Sequence, residues 1–235
     1  MISNPLCIAL DAPDARSCAA LAAATSAHAG VFKLGLSGFT AGGPELLRTV
    51  SEHRPVLLDL KMHDIPAQVA GAVEAAALGA AYVTVHASGG ADMVRAAVEA
   101  AGDRVAVVAV TVLTSFDDAA LASTGVAGPT SERVLRLAEL ALRAGAHGLV
   151  CSPLELEALR GAYGASADSG PLLVTPGVRA GGSETHDQVR TAPLRAALER
   201  GADLVVVGRP ITAAPDPRAA ARRLHEEALR ARAGG

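Results

Sequence analysis

The segment Asp59-Leu60-Lys61-Met62-His63-Asp64 places two carboxylates and an amine within six residues. An ammonium set among acids suits a reaction in which negative charge appears or departs at carbon and a proton is delivered there, because fixed groups already meet the developing charge. Lysine is also scarce: of 21 basic residues only Lys33 and Lys61 are lysines, and the rest are arginines. A compact ammonium that can give up a proton is not replaced by a guanidinium that keeps its own. A chain this biased toward arginine is expected to retain lysine where chemistry needs it.

Both lysines lie at the ends of apolar runs that read as strands. Residues two apart in a strand share a face at about 6–7 Å spacing. Asp59 and Lys61 are therefore predicted to point one way and Leu58 and Leu60 the other. A buried Asp–Lys pair is often only structural. Here Asp11, Lys33, Asp59, Lys61 and Asp64 gather three acids and two bases near one opening, more desolvated charge than a structural mouth needs.

The elements that position these residues follow a repeat. Runs of Val, Leu, Ile and Ala near Leu6–Leu10, Val31–Leu34, Val56–Lys61, Tyr82–His86, Val105–Val112, Gly148–Cys151, Leu172–Thr175 and Leu204–Val207 read as eight strands. Ala15–Ser26, Pro44–Glu52, Ala67–Leu78, Met93–Ala100, Ser131–Ala144 and Pro193–Arg200 carry apolar residues at helical spacing. Near-continuous apolar strands alternating with helices predict a parallel sheet covered on both faces. Eight such units in 235 residues suit one closed (β/α)₈ barrel, a TIM barrel spanning 1–235 as a single domain. An open doubly wound sheet is the other topology, but no GxGxxG or Walker A loop supports it. Asp11, Lys33, Asp59, Lys61, His86, Thr111 and Thr114 all fall at C-terminal strand ends, the face that holds the active site in barrel enzymes.

A second constellation suits an anion. The last strand ends in Gly208-Arg209, where glycine admits backbone N–H groups and arginine supplies a bidentate fork. Loops after strands seven and eight form the usual phosphate site of barrels. The connections Thr114–Thr130 and Gly177–Thr191 are longer than turns require, and the second, rich in glycine and carrying Gln188, is expected to serve as a lid. His63 and His86 lack the spacing of a transition-metal site; Mg²⁺ held by the carboxylates is the metal alternative that remains at this point. Gly35-Leu36-Ser37-Gly38 is not a nucleophile elbow.

Composition removes other classes. A net charge of −3 with 2% aromatic residues leaves no basic stripe or stacking platform for nucleic acid. No apolar run approaches the length of a membrane span. The N-terminal residues lack a basic region before an apolar stretch, so no signal peptide is expected and the cytoplasm is the predicted compartment. Cys7, Cys18 and Cys151 are odd in number and without metal-ligand spacing, as expected of buried small hydrophobes.

Taken in order, Ala9-Leu10-Asp11, Lys33-Leu34-Gly35, Asp59-Leu60-Lys61-Met62-His63-Asp64-Ile65-Pro66, Val85-His86-Ala87, Val110-Thr111-Val112-Leu113-Thr114-Ser115, Val150-Cys151-Ser152, Thr175-Pro176-Gly177-Val178-Arg179, Asp187-Gln188 and Val207-Gly208-Arg209-Pro210-Ile211-Thr212 resemble the successive motifs of the orotidine 5′-phosphate decarboxylase family along the whole chain. The resemblance implies decarboxylation of orotidine 5′-monophosphate to uridine 5′-monophosphate in pyrimidine synthesis, without metal or organic cofactor. It implies that Lys61 protonates the carbanion left at C6, that Asp59 faces the departing carboxylate, and that Lys33 and Asp64 complete the charge array, with Asp64 coming from the other subunit of a homodimer. Asp11 and Lys33 are then expected at the ribose and Thr114 and Pro176 at the pyrimidine. Arg179, Gln188, Gly208 and Arg209 are expected at the phosphate, with Ile65 and Gln68 also at the substrate. The family usually has threonine where this chain has Gln68, which still donates a hydrogen bond but with a different reach.

Two alternatives stand beside this. A Mg²⁺-dependent sugar-phosphate decarboxylase or aldolase of the same suprafamily shares the DxKxxD segment, but those resemble this chain less at Lys33, where they carry an acid for the metal. A barrel that binds a nucleotide without catalysis has no use for intact Asp59, Lys61 and Asp64.

Overall fold

The computed structural model describes residues 2–166, 169–179 and 190–233. Its strands are β1 (Leu6–Ala9), β2 (Val31–Gly35), β3 (Val56–Met62), β4 (Tyr82–His86), β5 (Ala106–Val110), β6 (Gly148–Val150), β7 (Leu172–Thr175), β8 (Val178–Arg179), β9 (Ala192–Pro193) and β10 (Leu204–Val207). Between and after them run α1 (Ala15–Thr25), α2 (Leu36–Ser51), α3 (Pro66–Ala76), α4 (Ala91–Ala101), α5 (Asp118–Ser123), α6 (Thr130–Arg143), α7 (Leu156–Tyr163), α8 (Leu194–Glu199), α9 (Arg209–Thr212) and α10 (Pro217–Ala233).

Eight of the strands pair in parallel and close on themselves in the order β1-β10-β7-β6-β5-β4-β3-β2. The expected (β/α)₈ barrel is therefore present. Two apolar layers hold it. One fills the interior with Cys7, Ala9, Val31, Leu57, Val108, Val110, Val150, Val174, Leu204 and Val206. The larger one lies between the strands and the helices and includes Leu6, Ile8, Phe32, Leu34, Leu58 and Leu149. Strands buried on both faces explain the near-continuous apolar runs.

Period-two alternation carries each interior row toward the C-terminal mouth. The row Cys7-Ala9 leads to Asp11, Val31 leads to Lys33, and Leu57 leads to Asp59, so the same alternation that fills the barrel delivers charge to its opening.

Several element bounds differ from the sequence expectation. The sequence predicts a helix from Pro44, whereas α2 starts at Leu36; two helical stretches meet at Gly43, whose φ of 56° breaks the helix just before the proline. The connection after β5, predicted as loop, contains α5, capped by the Asp117 side chain accepting from the Ala120 amide at 2.8 Å. The connection after β7 opens and closes on the two-residue pairing of β8 with β9. The lid expectation for its middle, residues 180–189, lies outside the described residues. No helix among the described residues is long and apolar enough to cross a membrane.

Candidate active site

The C-terminal mouth of the barrel holds an alternating line of charge. Lys33 Nζ lies 3.3 Å from Asp11 Oδ1 and 3.8 Å from Asp59 Oδ2, and Lys61 Nζ donates to that same Asp59 oxygen at 2.8 Å. Asp11, Lys33, Asp59 and Lys61 thus share one site, as their positions at the ends of β1, β2 and β3 predict. Exposure grades along the line: the side chains of Asp59 and Lys33 keep 12% and 14% of their surface, Lys61 31% and Asp11 51%. The inner pair is fixed while Lys61 faces the opening.

Burial works against the Lys33 ammonium, but Asp59 and then Asp11 outweigh it and raise its pKa. Burial likewise favours the neutral acid at Asp59, yet Lys61 and Lys33, together with hydrogen bonds from Lys61 and Thr84, hold that carboxyl below the usual range. The inner pair therefore stays charged at neutral pH. Beneath them burial pushes the Cys7 thiol up to about 12, so it remains a neutral filler.

The geometry at Lys61 departs from the regular strand expected there. Pairing of β3 with β4 shifts register between Leu58 and Met62, and Lys61 has φ 50°, in the left-handed region. Such a conformation costs about 1–2 kcal/mol for a side chain other than glycine, and it persists only where the surroundings determine it. Asp59 and Lys61 do meet, but across a bulge rather than along one face of an unbroken strand. Thr84 on β4 sits at the bulge: its hydroxyl accepts the Lys61 N–H at 2.9 Å and donates to Asp59 Oδ1 at 2.9 Å.

Gly35 leaves room for this array. A Cβ there would stand 3.0 Å from Lys33 Nζ and 3.5 Å from Asp11 Oδ1, crowding the ammonium against its partner.

Asp64 stands apart from the array in its own chain. It is exposed, its Oδ1 accepts the Ile65 amide at 2.6 Å, and among the described residues it forms no ion pair. Ile65, 63% exposed, and Gln68, also exposed, lie beside it at the start of α3. His63 and His86 pair with ring centroids 5.6 Å apart, and burial, then His63 and Lys61, lower the His86 pKa. Among the described residues no cluster of three or more His, Cys, Asp or Glu is placed to hold a metal ion.

Next to the array, β10 pairs with β1 and ends in the Gly208-Arg209 expected at an anion. Gly208 follows β10 and lies against the first strand's end, since a Cβ there would sit 3.5 Å from Ala9 Cβ and from Asp11 Oδ2. Arg209 opens α9. Gly177 turns the chain after Pro176 with φ 77°, and its carbonyl accepts the Ala192 amide at 3.3 Å. Gln188 lies outside the described residues, and Arg179 is described in its backbone alone.

Arg190 joins three of the mouth's loops. It pairs with buried Glu155, donates to the carbonyls of Val112 and Leu113 at 3.2 and 2.9 Å, and its amide donates to the Thr114 carbonyl at 3.3 Å. Glu155 in turn accepts the Ser152 amide at 2.7 Å and the Ser152 hydroxyl at 2.8 Å.

Comparison with known proteins agrees with this geometry. Residues 4–224 match the model of the orotidine 5′-phosphate decarboxylase / HUMPS family. The chain belongs to that family. Among its curated relatives, orotidine 5′-phosphate decarboxylase from Anaeromyxobacter sp. (strain K) is 53% identical over 94% of this chain and 96% of its own length. The enzyme of the same name from Thermobifida fusca is 51% identical over 96% of each chain. The crystal structure of orotidine 5′-phosphate decarboxylase from Lactobacillus acidophilus superposes with a TM-score of 0.83 and 34% identity, covering 96% of this chain and 99% of that one.

In this member of the orotidine 5′-phosphate decarboxylase / HUMPS family, then, the fold brings together Asp11, Lys33, Asp59 and Lys61 and sets Gly208 beside them. Among the described residues Asp64 forms no ion pair with the array, and Ile65 and Gln68 are exposed at the start of α3. Thr84, Glu155 and Arg190 escape a sequence reading. The signals were a lone threonine in the apolar strand Tyr82-Val83-Thr84-Val85 and the Ser152-x-x-Glu155 spacing of a capping box.

Proposed function

We propose that this chain decarboxylates orotidine 5′-monophosphate to uridine 5′-monophosphate, in pyrimidine synthesis, using neither metal nor organic cofactor. The observation that carries the reading is the four-charge line in which a buried, charged Lys33–Asp59 pair flanks a more exposed Lys61. The relatives' printed name and their identity over nearly the whole chain supply the substrate.

In the proposed reaction the bond from C6 of the pyrimidine to its carboxylate carbon breaks, carbon dioxide leaves, and the electron pair stays on C6. Lys61 gives C6 its proton and is then reprotonated from solvent, so the balance is one substrate and one proton in, one product and one carbon dioxide out. A carbanion without an electron sink depends on fixed charge, and here the ammonium is held beforehand by Asp59. Asp59 faces the departing carboxylate and Lys33 balances Asp59. Asp11 and Lys33 take the ribose and Thr114 and Pro176 the pyrimidine. Arg179, Gln188, Gly208 and Arg209 take the phosphate, whose binding energy is available for use in the transition state.

The working unit proposed is a homodimer of one-barrel subunits, 1–235 each, with Asp64 of each chain completing the other's site and Ile65 and Gln68 beside it. The exposure of all three in the single chain supports this. Three free, buried cysteines suit the reducing cytoplasm proposed as its compartment. The Mg²⁺-dependent alternative requires an acid where Lys33 stands.

The test is loss of orotidine 5′-monophosphate absorbance with purified protein in excess EDTA. Rapid formation of uridine 5′-monophosphate is expected. No conversion, with activity on a sugar phosphate once Mg²⁺ is added, would move the chain to the metal-dependent branch.

A further inference from the structure

Thr84 is fully buried in the middle of β4, flanked by Val83 and Val85, and it is the one residue of that strand aimed at both members of the Lys61–Asp59 pair. A hydroxyl has one proton and can also accept. The Lys61 amide only donates and the ionised Asp59 carboxylate only accepts, so the direction of both bonds is fixed: amide to hydroxyl, hydroxyl to carboxylate. The bulge between Leu58 and Met62 removes the Lys61 amide from the regular β3–β4 ladder, and the Thr84 hydroxyl supplies the acceptor that the ladder no longer does. Without it the left-handed backbone of Lys61 loses its anchor and Asp59 Oδ1 loses its donor.

We infer that Thr84 is a positioning residue for decarboxylation: its hydroxyl clamps the β3 bulge so that the Lys61 ammonium and the Asp59 carboxylate are held in fixed mutual orientation. This rests on the reading that Lys61 and Asp59 act on the substrate. Thr84 sits below the opening and touches no group expected at the phosphate, so its effect falls on the chemical step. Electrostatic preorganisation is sensitive to displacements of this kind, because a donor moved by an ångström no longer meets charge where it develops.

The experiment compares Thr84→Val, Thr84→Ser and Thr84→Ala with the wild type on orotidine 5′-monophosphate, measuring kcat, KM and the pH profile of kcat/KM. Thr84→Val keeps the shape and removes the hydroxyl; kcat is expected to fall about 100-fold with KM changed less than about threefold, and Thr84→Ser to stay within about threefold of wild type. The acid limb of the profile is expected to move to higher pH in Thr84→Val and not in Thr84→Ser, since Asp59 loses a hydrogen bond that favours its charged form. The other titratable groups around Asp59 are Lys33, Lys61, Asp11, Cys7 and His86; all are present in every variant, so they do not produce a difference between Val and Ser. Should Thr84→Val fail to fold, the Ser and Ala variants, which share the lost methyl and differ only in the oxygen, carry the comparison. Equal kcat in Ser and Ala, or a Val variant as active as wild type, would overturn the inference. An inactive wild type would instead overturn the proposed function, before any variant is read.

Discussion

Lys61 Nζ meets Asp59 Oδ2 at 2.8 Å across a bulge, with the Lys61 backbone left-handed and its amide held by Thr84. The proposed proton donor is therefore aimed by its backbone as well as by its counter-ion. A flexible four-carbon stem on a regular strand would leave the ammonium more rotamers to lose when the substrate binds. The same carboxylate oxygen also lies 3.8 Å from Lys33, so Asp59 is the hinge of the array.

Asp59 makes stability depend on pH in a defined sense. Its folded pKa lies below the unfolded value of about 3.9, so the unfolded state binds more protons as pH falls through that window, and stability present above the unfolded pKa is lost toward lower pH. Lys33 acts at the other end: its raised pKa contributes stability that is full below the unfolded value and is lost as pH rises through the folded one. Asp59→Asn removes the acid-side dependence. Melting temperatures of wild type and variant are expected to converge as pH drops below about 4; a gap constant across that range would contradict the assignment.

Asp64 yields to a mixing test. If it completes the partner's site, a dimer of one Lys61→Ala chain and one Asp64→Asn chain has one site with both groups and one with neither. Random exchange of two nearly inactive homodimers is then expected to restore about a quarter of wild-type activity, since half the dimers are mixed and each carries one of two sites intact. No restoration, with exchange verified by mass, would place Asp64 in its own chain's site.

Gln68, where the family usually has threonine, is expected to matter little. Gln68→Ala should raise KM by less than about tenfold, the worth of one exposed hydrogen bond. A loss approaching that of Lys61→Ala would show a larger role.

The Glu155–Arg190 pair is a structural joint of the mouth. Glu155→Ala leaves a buried guanidinium without its counter-ion and the Ser152 amide without its acceptor, and removing one partner of such a pair costs about 3–5 kcal/mol. Urea unfolding is expected to show that loss in the midpoint; a change under about 1 kcal/mol would mean the remaining Val112 and Leu113 carbonyls suffice for Arg190.

What the sequence disclosed follows from what is local. The eight barrel strands were legible because burial on both faces makes each an apolar run, and Asp11, Lys33 and Asp59 were legible because each continues a period-two row past the last apolar residue. The bulge at Lys61 was not, since it depends on pairing with β4 and on a hydroxyl 23 positions away. The joint between Glu155 and Arg190 likewise spans loops that only the closed barrel brings together. The early start of α2 was hidden by Gly43-Pro44, which read as a boundary and is instead a break between two helical stretches.

The most direct measurement compares wild type, Lys61→Ala and Lys61→Arg on orotidine 5′-monophosphate in excess EDTA. With Lys61 as proton donor to C6, the wild type turns over without metal, Lys61→Ala loses at least about 10⁴-fold in kcat, and Lys61→Arg, which keeps the charge but is a poor donor, loses at least about 100-fold. Substantial activity in Lys61→Arg, or a Lys61→Ala enzyme within tenfold of wild type, would contradict the account.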